Sequence, residues 1–199
     1  MILLPVAVPV LILLLALLLV VFVVLVELRV LSYAYQKIGI RPRYVFGIMA
    51  LTLLGSHVNI PLYAVPAHAT VVAINVGGAL IPALLSIYLF FRVHMPGRML
   101  IATAVVALVV NQLARVIPGV GIVAPMFVPP LLAAGVALLL AFRRAPPVAY
   151  VAGSMGTLIG ADLLNLGRVA AMGAPVVSIG GAGTFDGVFL TGILAGLLA

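Results

Sequence analysis

The chain has 199 residues, of which 66% are hydrophobic and 7% are charged, and it contains no cysteine. A soluble domain averages about 25% charged residues, so this composition excludes a soluble globular fold and predicts that lipid is the main solvent. The net charge of +7 does not indicate nucleic-acid binding, because the basic residues are spread between apolar runs. The absence of cysteine excludes disulfides and thiolate metal sites.

Apolar runs of membrane-spanning length follow one another along the chain, since about 20 apolar residues cross a bilayer. The first run has no basic residue before it and is long enough to span, so it predicts an uncleaved first helix. The predicted helices cover residues 3–32, 44–60, 69–91, 99–117, 124–142, 148–167 and 176–199. We therefore predict an all-α, polytopic transmembrane bundle of about seven helices (six to seven), with residues 1–199 as a single transmembrane domain.

Basic residues alternate between the predicted loops. Eight of the ten lie at the end of predicted helix one or in the loops after helices one, three and five: Arg29, Lys37, Arg41, Arg43, Arg92, Arg98, Arg143 and Arg144. The opposite side holds Arg115 and Arg168. By the positive-inside rule, the N-terminus lies outside and the C-terminus inside. We expect a multi-pass protein of the cell membrane.

Two pairs of glycines recur at a spacing of four residues. They are Gly156 with Gly160, and Gly192 with Gly196. This spacing lets transmembrane helices approach closely, so both pairs predict helix packing.

Polar residues of several predicted helices fall at a similar depth. Counted at about 1.5 Å per residue from the predicted helix ends, six of them lie about 18 to 24 Å from the inner face: His57, Asn59, Asn75, Asn111, Arg115 and Asp162. Polar side chains in lipid are costly and face the bundle interior or a water-filled cavity. We predict a buried polar site that opens toward the outer side.

The chain's two deep acids, Asp162 and Asp186, stand in contrasting surroundings. Asp162 lies within predicted helix six, with Asn165 three residues later on the same face. Asp186 lies near the middle of the bilayer, at about 15 Å on the same count. It follows a run containing Gly180, Gly181 and Gly183. Helix seven is therefore predicted to be broken or preceded by a re-entrant loop, which is tolerated where protein buries it or where it lines a cavity.

The two aspartates admit three interpretations. Carboxylates that are close together in a low-dielectric site share a proton, as in aspartyl proteolysis. The predicted depths place the two within about 6 Å along the membrane normal, so a dyad is geometrically allowed. Alternatively, Asp162 forms a structural ion pair with Arg115, which is predicted at the same level. The third interpretation is a transport or ion site.

The sequence resembles a family of uncharacterised prokaryotic multi-pass membrane proteins, one defined by a domain of unknown function. The resemblance covers most of the chain, and it is carried by residues 160–165, 179–187, 59–62 and 118–121. It implies a membrane protein and no particular activity.

A second resemblance is to the di-aspartyl intramembrane proteases, such as presenilin, signal peptide peptidase and the prepilin peptidases. These enzymes pair an aspartate in one helix with a second in a Gly-x-Gly-Asp motif, and many carry a Pro-Ala-Leu motif. Here Gly160-Ala161-Asp162 matches in part, and Pro82-Ala83-Leu84 precedes both aspartates instead of following them. The resemblance implies that Asp162 and Asp186 are the catalytic pair.

The leading hypothesis is accordingly an intramembrane aspartyl protease, with Asp162 and Asp186 activating water. One alternative is a transporter or channel for a small solute or ion, with its polar site in the outer half of the membrane. Another is a non-catalytic membrane assembly protein. We predict no metal and no cofactor. The expected partners are the lipid bilayer and, for a protease, a transmembrane peptide; we expect no nucleic acid, and the sequence predicts no oligomeric state.

Overall fold

The structure is a computed structural model that describes residues 4–65, 70–117, 121–181 and 187–199. The chain separates into two compact units, Met1–Tyr33 and Ala34–Ala199. The described residues contain seven α-helices: α1 Leu4–Lys37, α2 Pro42–Gly55, α3 Ile81–Val93, α4 Pro96–Leu113, α5 Val128–Ala141, α6 Ala145–Thr157 and α7 Gly187–Leu198. They confirm a mostly helical protein with a helix for each predicted span. The single-domain assignment stays a prediction.

The first unit is the apolar body of α1. Its side chains from Leu13 to Val26 are exposed and uniformly hydrophobic. The run Leu13–Lys37 has a mean hydropathy of 2.9. A helix that is apolar on every side belongs in a membrane or in the core of a large protein.

Within the part of the chain that the structure describes, four helical runs are long and apolar enough to cross a membrane: Leu13–Lys37, Val76–Val93, Pro96–Leu113 and Val128–Arg168. The helices α2 and α7 are apolar but shorter, Pro42–Gly55 and Gly187–Leu198. The chain is therefore a membrane protein with a helical bundle. The number of crossings and the outside position of the N-terminus stay predictions.

Several predicted helices turn out to end in strands. The structure has β1 Asn59–Val65, β2 Thr70–Asn75, β3 Arg115–Ile117, β4 Gly121–Val123 and β5 Val176–Ile179. Four predicted helix ends were therefore wrong: the last residues of helices two and four, and the first residues of helices three and seven. The runs concerned are rich in β-branched residues, which favour strands, and the strands satisfy their backbone groups by pairing with one another.

The strands form a three-stranded sheet in the order β1-β2-β5 and a separate β3-β4 hairpin. Strand β2 is central and mostly buried; it pairs antiparallel with β1 and parallel with β5. The β1–β2 register is irregular between Pro61 and Tyr63, where proline has no N–H to donate. A buried cluster formed by Val72, Ala79, Leu158, Ile179 and Val188 joins this sheet to the helices.

Helix α6 lies at the centre of the bundle and packs against α4, α5 and α7. This close packing depends on glycines of α6, of the segment that follows it and of α7. A Cβ at Gly156 or Gly160 would collide with residues of α4, and one at Gly192 would collide with Ser154 of α6. A Cβ at Gly196 would meet Ile38. The structure thus confirms that both glycine pairs serve close packing.

Two of the described helical segments are wound more widely than an α-helix. Residues Val76–Leu80, between β2 and α3, and Leu158–Asp162, directly after α6, are π-helical. The chain then continues from Leu163 to Met172 as a 3₁₀-helix. π-Helical turns are rare and occur frequently at functional sites, so both segments direct attention to the end of the bundle that carries the sheet.

Candidate functional site

Asp162 is the last residue of the second π-helical segment. Its side chain is half-buried, and its Oδ2 accepts a hydrogen bond of 2.7 Å from the backbone N–H of Gly180. This hydrogen bond joins the π-helical segment after α6 to Gly180, the residue that follows β5. The carboxylate is therefore oriented by backbone that is distant in sequence.

The backbone at Gly180 has a conformation that suits glycine alone. Its φ is +82°, and the φ of Gly181 is +77°. A Cβ at Gly180 would lie 2.6 Å from the backbone N of Ala79, and one at Gly78 would collide with the carbonyl of Gly180. Helix seven, predicted from residue 176, therefore begins only at Gly187, after β5 and the left-handed turn at Gly180 and Gly181. Gly183 and Asp186 lie outside the described residues.

A cavity of about 250 Å³ adjoins Asp162. It lies between β4, the start of α5, the end of α6 with the π-helical segment, and the start of α7. Its walls are mainly apolar, and its polar side chains among the described residues are Thr157, Asp162 and Thr191. A liquid water occupies about 30 Å³, so the cavity has room for several waters or for a small portion of a peptide. Gly187, which follows Asp186 in the sequence, also lines it.

Thr157, a residue of the cavity wall, carries a buried hydroxyl. Its side chain is 5% exposed, and its Oγ1 has no hydrogen-bond partner among the described residues. A buried hydroxyl without a partner costs about 1 to 3 kcal/mol. Rotation of the side chain toward a water or ligand in the cavity would relieve that cost.

Asn75 is the centre of a second polar group at the same end of the bundle. It is fully buried, and its Nδ2 donates to Ser56 O at 2.8 Å and to Asn59 Oδ1 at 3.1 Å. Its Oδ1 accepts from the backbone N–H of Gly78 at 2.7 Å, which caps the first π-helical segment. Asn59 Oδ1 also accepts from Ser178 Oγ at 2.5 Å. The network thus joins α2, all three strands of the sheet and the π-helical turn.

Two further asparagines support the π-helical segment that carries Asp162. The carbonyl of Gly160 accepts hydrogen bonds of 3.1 Å from both Asn111 Nδ2 and Asn165 Nδ2. Asn165 also donates to Ala161 O at 2.9 Å. Irregular helix leaves carbonyls without their regular partners, and side-chain amides satisfy them here. Asn111 and Asn165 thus stabilise the backbone that presents Asp162.

His57 and Arg115 have surroundings different from those of the other predicted layer residues. His57 is exposed in the turn after α2, where its Nδ1 lies 3.2 Å from Leu53 O and 3.3 Å from Ser56 Oγ. Arg115 is the exposed first residue of β3. The hydrogen bond described for Asp162 comes from Gly180, not from Arg115. The depth estimate assumes that both residues are helical, whereas α2 ends at Gly55, before His57, and α4 ends at Leu113, before Arg115.

Ser178 and Thr157 are site residues that the sequence reasoning missed. Serine and threonine are frequent in transmembrane helices and often hydrogen-bond locally, so neither gave a signal of its own. The residues from Val176 to Ile179 do not alternate regularly between apolar and polar, so the sequence predicts a helix there. It does not predict the strand in which Ser178 donates a hydrogen bond to Asn59.

Residues 42–198 match the model of a family described as "Protein of unknown function (DUF1614)". The chain belongs to this family. The match covers the whole of the sheet, both π-helical segments and Asp162, and it leaves out all of α1. Comparison of this DUF1614 protein with curated proteins and with solved structures finds no match.

Proposed function

We propose that this DUF1614 protein is an intramembrane aspartyl protease of the cell membrane, in which Asp162 and Asp186 activate water. The observation that carries the proposal is the position of Asp162. It ends a π-helical turn, is oriented by the N–H of Gly180, and lies against a cavity of about 250 Å³. Asp186 is assigned from the sequence; it directly precedes Gly187, another residue of the cavity wall.

The chemistry requires two carboxylates and one water. One carboxylate, ionised, takes a proton from the water, whose oxygen attacks the carbonyl carbon of the scissile peptide bond. The other, protonated, transfers its proton to the carbonyl oxygen, which becomes a hydroxyl of the tetrahedral gem-diol, and it takes a proton back from that gem-diol when the intermediate collapses. When the C–N bond breaks, the departing nitrogen receives the proton held by the first carboxylate. The products are a carboxylic acid and an amine.

Three features around Asp162 support the proposal. The N–H of Gly180 holds Oδ2 of Asp162 in a defined orientation at the wall of the cavity. Thr157 lines the same cavity, and rotation of its side chain would turn its hydroxyl, which has no partner among the described residues, toward a bound water. The apolar walls, including Ile122, Met126 and Leu190, suit a transmembrane peptide as substrate.

The experiment uses the purified full chain in proteoliposomes with a panel of synthetic transmembrane peptides. A second probe is a photoreactive peptide mimic with a hydroxyl in place of the scissile carbonyl, because such groups imitate the tetrahedral intermediate and bind more tightly than substrate. We expect peptide cleavage and hydroxyl-dependent labelling by the wild-type protein, and loss of cleavage in both Asp162→Asn and Asp186→Asn.

Glu27→Gln is the matched control, because Glu27 is the third acid of the chain and lies in α1. It should cleave and label like the wild type. Undiminished cleavage by Asp162→Asn would contradict the proposal, and so would equal labelling by probes with and without the hydroxyl.

Transport of a small solute or ion is the second candidate function. The discontinuous backbone favours it: α6 passes into π- and 3₁₀-helix, and β5 turns at Gly180 and Gly181 before α7. Many transporters bind their substrate at such breaks. Flux of a small solute into the same proteoliposomes that depends on Asp162, with no peptide cleavage, would favour transport over proteolysis.

A further inference from the structure

Four cationic side chains from three separate parts of the chain line one cavity at the opposite end of the bundle. The cavity has a volume of about 330 Å³, and its cations are Lys37, Arg92, Arg143 and Arg144. They come from the end of α1, the end of α3 and the junction between α5 and α6. Loops that are predicted to lie on the same side of the membrane therefore meet at one end of the Ala34–Ala199 unit.

The cations have no acidic partner in the cavity wall. Of the chain's three acids, Glu27 and Asp162 are not among the residues that line this cavity, and Asp186 lies outside the described residues. The described residues that line the basic cavity include no carboxylate. Four positive charges held this close repel one another, and a bound anion removes that repulsion.

Structural hydrogen bonds use only part of the donor capacity of these side chains. Lys37 Nζ donates to Leu197 O at 2.7 Å, and Arg92 donates from one nitrogen to Gly39 O at 2.6 Å and to Tyr88 Oη at 2.5 Å. Arg144 makes one long bond of 3.4 Å to Val93 O. An ammonium group has three N–H donors and a guanidinium has five. Donors therefore remain for a ligand after the helix ends are capped.

The rest of the cavity wall is apolar. Leu89 and Ile38 are fully buried beneath the cations, and Pro146 and Pro147 complete the wall at the start of α6. The site thus combines an anion-binding rim with a hydrophobic floor. Basic pockets between transmembrane helices bind anionic lipid headgroups on this principle.

We infer that Lys37, Arg92, Arg143 and Arg144 form a binding site for a phosphate group, with an anionic phospholipid headgroup as one source and a soluble phosphate as the other. Arginine binds phosphate oxygens with paired N–H groups, and lysine adds a point charge. This site lies apart from Asp162 and does not depend on the proposed catalysis.

The test measures lipid retention by the full-length protein in a neutral detergent. Native mass spectrometry counts bound phosphatidylglycerol against phosphatidylcholine, with inorganic phosphate as a soluble competitor. We expect saturable retention of phosphatidylglycerol. Displacement by millimolar phosphate would assign the site to soluble phosphates, and resistance to it would assign the site to the lipid. Equal retention of the two lipids would overturn the inference.

The decisive variant is the double substitution Arg143→Gln/Arg144→Gln, since both residues are exposed. At about 1 kcal/mol for each cation near a membrane lipid, the loss of both lowers affinity roughly thirtyfold. Arg143→Lys/Arg144→Lys keeps the charge and should retain most of the binding, which separates binding from folding.

The matched control is Arg43→Gln/Arg98→Gln, which removes the same charge from exposed residues outside the cavity. It should change phosphatidylglycerol retention less than twofold, within ordinary variation for surface charges. An equal loss in this control would show that net charge, and not this cavity, retains the lipid, and it would overturn the inference.

Discussion

The two ends of the Ala34–Ala199 unit use polar groups in opposite ways. At the sheet end, the side chains of Asn59, Asn75 and Asp162 are bonded to backbone or to one another, and the backbone itself leaves α geometry. At the basic end, four cations, three of them exposed, surround a cavity whose described wall has no counter-charge. The first arrangement orients a single carboxylate, while the second leaves donors available. Substitutions should therefore affect folding mainly at the sheet end and binding mainly at the basic end.

The largest effect is expected for Gly180→Ala at the sheet end. The substitution combines a positive φ with a Cβ only 2.6 Å from Ala79 N. Strain and overpacking together should lower the free energy of unfolding by about 2 to 6 kcal/mol. Unfolding of the detergent-purified protein, followed by circular dichroism against temperature and denaturant, measures it.

Two other glycines separate the causes of this effect. Gly39 has a φ of +101° but nothing within 4 Å of its would-be Cβ, so Gly39→Ala tests strain alone and should cost about 1 to 2 kcal/mol. Gly47 lies inside α2 with open space and an ordinary φ, so Gly47→Ala should be neutral or stabilising by up to about 1 kcal/mol. Equal losses for Gly180→Ala and Gly39→Ala would show that the close approach to Ala79 is unimportant.

The next largest effect is expected for Asn75→Ala. The change leaves the carbonyl of Ser56 and the N–H of Gly78 without their partner in a buried place. Each such group costs about 1 to 3 kcal/mol, so we expect a loss of about 2 to 4 kcal/mol in the same unfolding measurement.

Asn111→Ala is the matched control for this substitution, because Asn111 donates a single bond to a carbonyl that Asn165 also serves. Interhelical hydrogen bonds in membranes average about 0.6 kcal/mol, and we expect a loss of that order. A larger loss for Asn111→Ala than for Asn75→Ala would reverse the assigned roles of the two asparagines.

A smaller effect of opposite sign is expected for Thr157→Val. Replacing an unpartnered buried hydroxyl with a methyl group of the same shape should raise stability by about 1 kcal/mol. It should also weaken labelling by the photoreactive hydroxyl probe, since the cavity wall loses a hydrogen-bonding group.

The control is Ser86→Ala. It removes another buried hydroxyl that has no partner among the described residues and that lies elsewhere, between α3, α4 and α6, and it should leave labelling unchanged. Unchanged labelling with Thr157→Val would exclude Thr157 from the site.

The smallest effect is expected at the basic end, for Lys37→Met. Lys37 is half-buried and caps a carbonyl in the last turn of α7. A cation in this position contributes about 0.3 to 1 kcal/mol, so stability should fall by about that amount. Arg98→Met, at an exposed site in the first turn of α4, should change stability by less than about 0.5 kcal/mol. A loss of stability for Lys37→Met that is larger than the loss for Asn75→Ala would contradict the contrast between the two ends.

The sequence predicted the membrane environment, the helices and the glycine-rich break, because hydropathy and glycine spacing are local signals. It did not predict the sheet. Segments such as 70–75 and 176–179 are apolar and continuous with helices, and short apolar runs do not distinguish a buried strand from a helix. Their identity depends on pairing across about 100 residues, as between Val71 and Val176, and a local pattern carries no information on such pairing.

The same limit explains the partial success with the site. The depth estimate groups Asn59, Asn75 and Asp162, each near the end of an apolar run, and these residues lie in or beside the sheet and the second π-helical segment. It misplaced His57 and Arg115, because it extended helices past their actual ends at Gly55 and Leu113. The hydrogen bond from Gly180 to Asp162 depends on a left-handed backbone turn, which the glycines permit but do not require.

The most direct test of the catalytic proposal is the proximity of Asp162 and Asp186. Because the chain has no cysteine, the double variant Asp162→Cys/Asp186→Cys offers a single pair of thiols to a short bifunctional thiol cross-linker. Val71→Cys/Val176→Cys is the positive control, since these residues are partners in the parallel ladder. Our account predicts that the aspartate-site pair cross-links within one chain as readily as the control pair. Efficient cross-linking of the control with none between positions 162 and 186 would contradict it.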